Sequence, residues 1–297
     1  MVQILIETLL RTSDLALVAL GLSMVYGLAK FPNIAHTQYA MVGAYLTYAA
    51  TSFEVPIVGA IIISSLLTGV FTLILHRLIF QRLIHSGPAI AMIGSLAVSM
   101  LIVACALGLS GSFPRMFNLP FTQPILIADA SVPITQIYTV SVTIAALILF
   151  WILWFHTRTG RAMRALASNR ALADASGLNA QRIVYLVDFT SGALAGLGGS
   201  ALALSTGAHI NMGHDLLLPV FAAAILGGLG NPIGAVAGAF LIALAETIVT
   251  NTNFGWMFGK ELTFLPISYI SAASFLILLL ALLFRPYGLF DREVRRV

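Results

Sequence analysis

Nine apolar segments, separated by short polar or Gly/Pro-rich breaks, constrain this chain more than any other feature of its sequence. A helix needs roughly 20 apolar residues to cross the hydrocarbon core of a bilayer. Lipid offers no partner to an open strand edge, so every segment is predicted to be helical. The pattern predicts an all-α integral membrane protein of about eight to nine transmembrane helices, forming one transmembrane domain over residues 1–297. The segments are 4–29, 34–52, 56–75, 88–109, 137–156, 183–206, 216–229, 233–250 and 265–284.

Composition excludes a water-soluble protein. Hydrophobic residues make up 59% of the chain and charged residues 9%, against roughly a quarter charged in soluble domains. Glu7, Arg11 and Asp14 interrupt the first apolar segment, so we expect a retained first helix rather than a cleaved signal peptide. The single cysteine, Cys105, lies in an apolar run without a disulfide partner or a second metal ligand. No cofactor or metal is predicted.

The distribution of charge predicts the topology, because cytoplasmic loops carry an excess of Lys and Arg. Basic residues concentrate in 76–87 (Arg77, Arg82), in 157–182 (Arg158, Arg161, Arg164, Arg170, Arg182) and in the tail (Arg285, Arg292, Arg295, Arg296). The stretches 110–136, 207–215 and 251–264 hold only Arg115 and Lys260 as bases, balanced by Asp129, Asp215 and Glu261. The first group is predicted to be cytoplasmic and the second to face outward. With nine spans, the N-terminus then lies outside.

Two interruptions of the apolar pattern, near 31–36 and 227–232, share a signature. Each places an Asn beside a Pro, and each is followed by a helix start rich in small residues. Interrupted helices at matching places in two halves of a chain point to a transport pathway. Ordinary polar turns at the cytoplasmic face are the alternative, and only depth in the membrane separates the two. The candidate pathway residues are Asn33, His36, Gln38, Gly43, Gly230 and Asn231.

The segment 157–182 is predicted to form two short cytoplasmic helices. Ser168 or Asn169 can cap the second helix by accepting from its free amides, and Gly177 suits the left-handed residue that ends it. Alanines between the arginines leave room for another protein to dock.

This segment, continued through Ile183, resembles the cytoplasmic coupling segment of ABC importer permeases of the branched-chain amino acid family. Two further stretches are similar to that family: Gly21 to Gly27 leading into Asn33-Ile-Ala-His36 and Gly43-Ala-Tyr-Leu46, and Ala224 to Gly238 late in the chain. Together they cover about half of the chain, in the family's order. Thr37-Gln38 and Asn231 depart from the family's usual residues beside the proposed pathway, so the cargo stays open between branched-chain and related amino acids, urea or an amide.

The resemblance implies a permease domain in a prokaryotic inner membrane and a set of partners. These are a second homologous permease, two cytoplasmic ATPase subunits and an extracytoplasmic solute-binding protein; no nucleic acid is expected. The chain itself contains no Gly-x-x-x-x-Gly-Lys-Ser/Thr phosphate loop, and it is predicted not to be an enzyme. By the resemblance, the ATPase-coupling residues are Arg161, Arg164, Ala165, Asn169, Arg170 and Gly177.

Other polar residues in the apolar background leave alternatives open. Asp188 and Glu246 lie inside predicted helices, where carboxylates are functional candidates, although hydration or pairing also explains them. His209, His214 and Asp215 lack the spacing of a helix-face metal site and are assigned to an outer loop. A self-sufficient secondary transporter or channel is the alternative function, since interrupted helices suit it as well.

Overall fold

The computed structural model describes residues 2–118, 124–127, 130–253, 270–284 and 288–290, and these form a helical bundle. The helices are α1 Val2–Ala29, α2 His36–Ser52, α3 Ile57–Leu75, α4 Gln81–His85, α5 Pro88–Ser110, α6 Ile134–His156, α7 Arg158–Ser168, α8 Arg170–Ala175, α9 Ala180–Thr206, α10 Met212–Gly227, α11 Pro232–Asn251 and α12 Ile270–Phe284. One π-helical turn covers His76–Phe80. A small antiparallel hairpin pairs β1 Ile125–Ile127 with β2 Ala130–Val132.

The nine apolar segments correspond one to one with nine of these helices. Within the described residues, six helical stretches are long and apolar enough to cross a membrane. They are Gln3–Ala29, Ile57–His85, α5, α6, α9 and α11. The shorter α2, α10 and α12 complete the set, and residues 265–269 of the last predicted segment lie outside the described residues. The prediction of an all-α membrane protein is confirmed.

The prediction that residues 76–87 form a loop is wrong. The helix that begins at Ile57 continues to His85 through the π-helical turn, so only Ser86 and Gly87 connect it to α5. The sequence contains no Pro or Gly between Gly69 and Gly87, and Gly87 ends the run with φ 108°. Arg77 and Arg82 therefore lie on a helix. The four arginines of the tail, together with Asp129, Lys260 and Glu261, lie outside the described residues.

Helix α9 is the centre of the bundle, and it packs through small residues. A Cβ added at Gly192 or Gly196 would overlap side chains of α3, and one added at Gly43 would overlap the backbone of Gly196. The close contacts predicted around 192–200 are therefore confirmed. Those predicted at Gly234 to Gly238 are confirmed too, against α10 at Gly227 and Ala223.

Hydroxyl groups bind α2, α3 and α9 to one another at the same level of the bundle. Thr47 Oγ1 lies 2.6 Å from Ser64 Oγ and donates to Ser200 Oγ at 2.7 Å. All three side chains are buried, so these bonds satisfy polar groups that lipid cannot hydrate.

Helix α1 runs antiparallel to α9. A Cβ placed on Gly21 would lie 2.8 Å from the carbonyl oxygen of Ser191, and one placed on Gly198 would lie 3.2 Å from Leu17 Cβ. The N-terminal end of α1 therefore lies at the opposite end of the bundle from the segment 157–182. This arrangement agrees with the topology predicted from charge, in which the two ends are on different sides of the membrane.

Candidate functional site

The first helix break covers residues 30–35 and is buried or half-buried after the exposed Lys30. Lys30 leaves α1 with φ +55°, while its amide still donates to the Tyr26 carbonyl at 2.9 Å. Asn33 Oδ1 accepts from the amide of Ala35 at 3.1 Å, and the Asn33 carbonyl accepts from the amide of His36 at 3.2 Å. Asn33 is 5% exposed and Ala35 is fully buried. The asparagine therefore organises the turn that starts α2.

This break returns into the bundle instead of remaining at its surface. The His36 ring lies against Gly21, because a Cβ there would be 2.8 Å from His36 Nε2. Gly21 precedes the last residue of α1, Ala29, by eight positions, which is about 12 Å along a helix. The amide of Ile34 is satisfied across the bundle by Ser95 Oγ of α5 at 3.0 Å. The chain thus crosses more than two helical turns of depth without regular helix.

The next predicted pathway residues are enclosed by neighbouring helices. His36 is fully buried and stacks edge-on with Tyr39 at a centroid distance of 5.4 Å. Gln38 is 1% exposed and places Nε2 3.4 Å from His214 Nδ1, at the start of α10. Gly43 provides the close crossing of α2 and α9 described above.

The second break, residues 228–231, is a glycine turn between α10 and α11. Gly228 and Gly230 have φ of 96° and 92°, a region that favours glycine. The amide of Gly230 donates to Ser23 Oγ at 3.2 Å, and its Cα packs on Gly27 near the end of α1. Asn231 Oδ1 caps α11 by accepting from the amide of Gly234 at 3.1 Å. Gly230 and Asn231 are half-buried.

A cavity of about 260 Å³ opens between the end of α1, the first break, the helix 57–85 and α9. Its polar lining includes Asn33, Thr72, His76, Asp188 and Ser191, together with Tyr39, Gln81, His85, Arg170 and Gln181. Among the six predicted pathway residues, Asn33 alone lines this cavity; the others lie in the helix contacts described above. Residues of the second break do not line this cavity, and the prediction that both breaks flank one solute route stays a prediction.

A close polar contact in the cavity wall was missed by sequence reasoning. His76 Nδ1 lies 2.7 Å from Asp188 Oδ2, and both side chains are nearly buried. Asp188 was a candidate, but His76 was assigned to a loop. The absence of a helix breaker after Leu75 was the available signal, because it extends the helix and aligns His76 with the inner end of α9.

The segment 157–182 forms the two helices that its sequence predicts, α7 and α8. Asn169 Oδ1, rather than Ser168, caps α8 by accepting from the amide of Leu172 at 3.0 Å. Gly177 follows α8 with φ 79°. The segment is anchored by Met163 and Leu166, which are buried in a cluster with residues of α1, α6 and α9.

The predicted coupling residues divide into two groups by exposure. Arg161, Ala165, Asn169, Arg170 and Gly177 are exposed. Arg164 is half-buried, donates to the Trp154 carbonyl, and holds its guanidinium 5.3 Å from the Phe155 ring centroid. It therefore fastens α7 to the inner end of α6.

Other charged residues pair across helices. Arg11 Nε lies 2.6 Å from Glu246 Oε2, and Ser274 also donates to Glu246. His209 lies 3.2 Å from Asp215. Among the described residues, no group of three or more His, Cys, Asp or Glu side chains is arranged to hold a metal ion.

The bundle of membrane-length helices, two of them begun after buried or glycine-rich breaks, defines a polytopic membrane protein of the transporter class. More specifically, the chain belongs to the branched-chain amino acid transport system / permease component family, which matches residues 4–284. It is therefore a multi-pass membrane permease of the type found in the inner membrane.

Two branched-chain amino acid permease proteins match over nearly their whole length. The chain is 28% identical to the high-affinity branched-chain amino acid transport system permease protein BraD of Pseudomonas aeruginosa, over 99% of this chain and 97% of BraD. It is 29% identical to the corresponding LivH of Salmonella typhimurium, over 96% and 94%. Among solved structures, PsaBC from Streptococcus pneumoniae in complex with Fab aligns with a TM-score of 0.52 at 14% identity, covering 96% of this chain and 92% of that one. The last similarity shows the fold alone.

Proposed function

We propose that this chain forms part of the membrane pathway of an ABC importer for branched-chain or chemically related amino acids. The near full-length match to permease proteins for branched-chain amino acids is the observation that carries the proposal. A cavity with a hydrogen-bonding side and an apolar side is consistent with a small zwitterionic cargo.

The proposal includes the partners that such an importer requires. A second homologous permease completes the pathway, two cytoplasmic ATPase subunits supply the energy, and an extracytoplasmic binding protein delivers the solute. The exposed stripe of α7 and α8 supports the docking of an ATPase. It presents Ala165 together with Leu172, a large apolar side chain that is 66% exposed, and exposed apolar residues rimmed by charge mark interaction sites.

Reconstitution tests the function directly. The complete complex in liposomes should accumulate leucine when ATP and the binding protein are supplied, and this chain alone should transport nothing. The alternative is a self-sufficient carrier. It requires that the isolated chain transport leucine, either down the leucine gradient or driven by an ion gradient. Such movement would refute the ABC assignment.

A substitution on α7 tests the coupling role. Ala165→Glu should abolish ATPase docking or lower leucine-stimulated ATP hydrolysis by about tenfold or more, the scale at which about 1.4 kcal/mol is lost at an interface. Membrane insertion should be unchanged, because the Ala165 side chain is exposed. Asn118→Glu, at an exposed site in the segment predicted to face outward, is the control. Wild-type docking and hydrolysis in Ala165→Glu would contradict the coupling role.

Arg164→Glu should behave differently from Ala165→Glu. It removes the contacts to Trp154 and Phe155, so the thermal stability of the permease should fall along with coupling. A variant that uncouples at unchanged melting temperature would show that Arg164 acts on the partner instead.

A further inference from the structure

The cavity at the inner end of the bundle has two chemically different walls. Its polar side carries Asn33, His76 and Asp188, and its apolar side includes Phe31, Phe80 and Val187. An amphiphilic cavity of about 260 Å³ is slightly below the usual range for drug-sized ligands, so it matches a small solute. An amino acid with a branched aliphatic side chain has the same division into a zwitterionic head and an apolar body.

The ion pair on the polar wall requires an explanation. Ionisable side chains inside membrane-spanning helices are expensive and are functional candidates by default. The π-helical turn His76–Phe80 interrupts an otherwise regular helix at the level of Asp188, and such turns occur frequently at functional sites. His76 Nδ1 approaches Oδ2 of Asp188, and both residues line the cavity.

Local geometry places neutral donors on the same wall. Thr72 Oγ1 donates to the Asp188 backbone carbonyl at 2.9 Å, which aligns α3 with α9 at this level. Asn33 and Tyr39 line the same wall and their side chains hydrogen-bond to each other, while Oδ1 of Asn33 accepts from the amide of Ala35. A carboxylate and neighbouring hydrogen-bonding side chains thus line one cavity.

We propose that this cavity is an inward-facing binding site for a zwitterionic amino acid with a branched aliphatic side chain. Asp188 receives the α-ammonium group, the imidazole of His76 faces the α-carboxylate, and the apolar wall takes the side chain. The proposal rests on the proposed function and adds a location and a recognition chemistry to it. The competing account is a purely structural ion pair that braces the helix 57–85 against α9.

Ligand discrimination separates these two accounts. The assembled complex, in nanodiscs and without the binding protein, is titrated with radiolabelled leucine and with 4-methylpentanoate, which lacks only the ammonium group. Asp188→Asn should weaken leucine binding by about tenfold or more and should also reduce the preference for leucine over 4-methylpentanoate. A bracing role predicts no change in that preference. Glu54→Gln, which removes an exposed carboxylate far along the chain, is the charge-matched control.

Two variants on α9 test the apolar wall and guard against misfolding of the Asp188 variant. Val184 lines the cavity, whereas Leu186 is 44% exposed on another face of the same helix. Val184→Trp should abolish saturable leucine binding, and Leu186→Trp should bind as the wild type does. Normal binding in both Val184→Trp and Asp188→Asn would overturn the site.

Failure of the site and failure of the proposed function have different signatures. If the wild-type complex transports leucine under ATP but Asp188→Asn and Val184→Trp bind and transport it normally, the site is refuted and the function stands. If the wild-type complex transports no amino acid, the proposed function itself is refuted, together with this inference.

Discussion

The two helix breaks have nearly the same sequence signature but different structures. Both place an asparagine beside a proline, and in both the asparagine side chain accepts from a nearby backbone amide. The first break is buried and returns about 12 Å into the bundle to bring His36 against Gly21. The second is a half-buried glycine turn that packs on Gly27 near the end of α1.

The difference shows that a local signature determines where along the chain a helix ends, but not how deep in the bundle the following break lies. Depth depends on the segment that follows. After the first break, α2 begins with Ala40 and Gly43, small residues that let it cross close to α9 inside the bundle. At the second break, Gly227 before the turn and Gly234 after it let α10 and α11 pack closely at the turn itself, so the chain reverses without entering further.

The largest effect is expected from a substitution at the second break. Gly230→Leu would place a side chain at φ 92° and bring its Cβ within 3.3 Å of the Gly27 Cα. Left-handed strain together with overpacking should cost about 2–5 kcal/mol. The measurement is thermal unfolding of the purified permease and its abundance in membranes. Gly108→Leu, on α5 with open space around the glycine, should be tolerated. Equal stability of both variants would mean that the second break is not a tight structural turn.

A pair of asparagine substitutions compares the two breaks in function. Asn33→Leu removes a cavity-lining amide and should lower leucine transport by about tenfold or more, the scale of one lost buried polar partner. Asn231→Leu should instead lower stability by about 0.5–2 kcal/mol through loss of a helix cap, with transport per assembled complex retained.

The matched variants for this pair are Asn231→Asp, which keeps the cap, and His36→Leu. His36→Leu replaces a fully buried ring that stacks on Tyr39, so its thermal stability is measured beside its transport, and a loss of transport at unchanged stability would report on the pathway. If Asn33→Leu and His36→Leu both transport normally, or fail only because assembly is lost, the first break is a structural turn.

The helices and their ends could be predicted from the sequence because they depend on local chemistry. Hydrophobic length located nine segments, Asn169 and Gly177 marked the ends of α8, and glycines at four-residue spacing located the contacts of α9. Each of these signals is contained within a few neighbouring residues.

The site was less accessible because it depends on contacts between distant segments. The pairing of His76 with Asp188 requires a π-helical turn and the antiparallel approach of two helices, neither of which has a local signal in the sequence. Arg164 was predicted to act on a partner, yet its neighbours Trp154 and Phe155 belong to another helix. Gln38 was chosen for its polarity and Gly43 for its small size, and the contacts they make, with His214 and with Gly196, are also between distant segments.

The smallest expected effect concerns access to the two breaks in the intact complex. In a Cys105→Ala background, Ala29→Cys places a thiol in the cavity wall beside the first break, and Asn231→Cys places one at the second break outside it. A membrane-impermeant maleimide should modify both from the cytoplasmic side. Leucine should slow the reaction at position 29 by a few-fold and leave position 231 unchanged, because only the first break borders the proposed site.

Reference thiols at exposed positions 170 and 118 should react only from the cytoplasm and only from outside, respectively. Protection of position 231 alone would move the binding site to the second break, and reversed labelling of 170 and 118 would invert the topology on which the comparison depends.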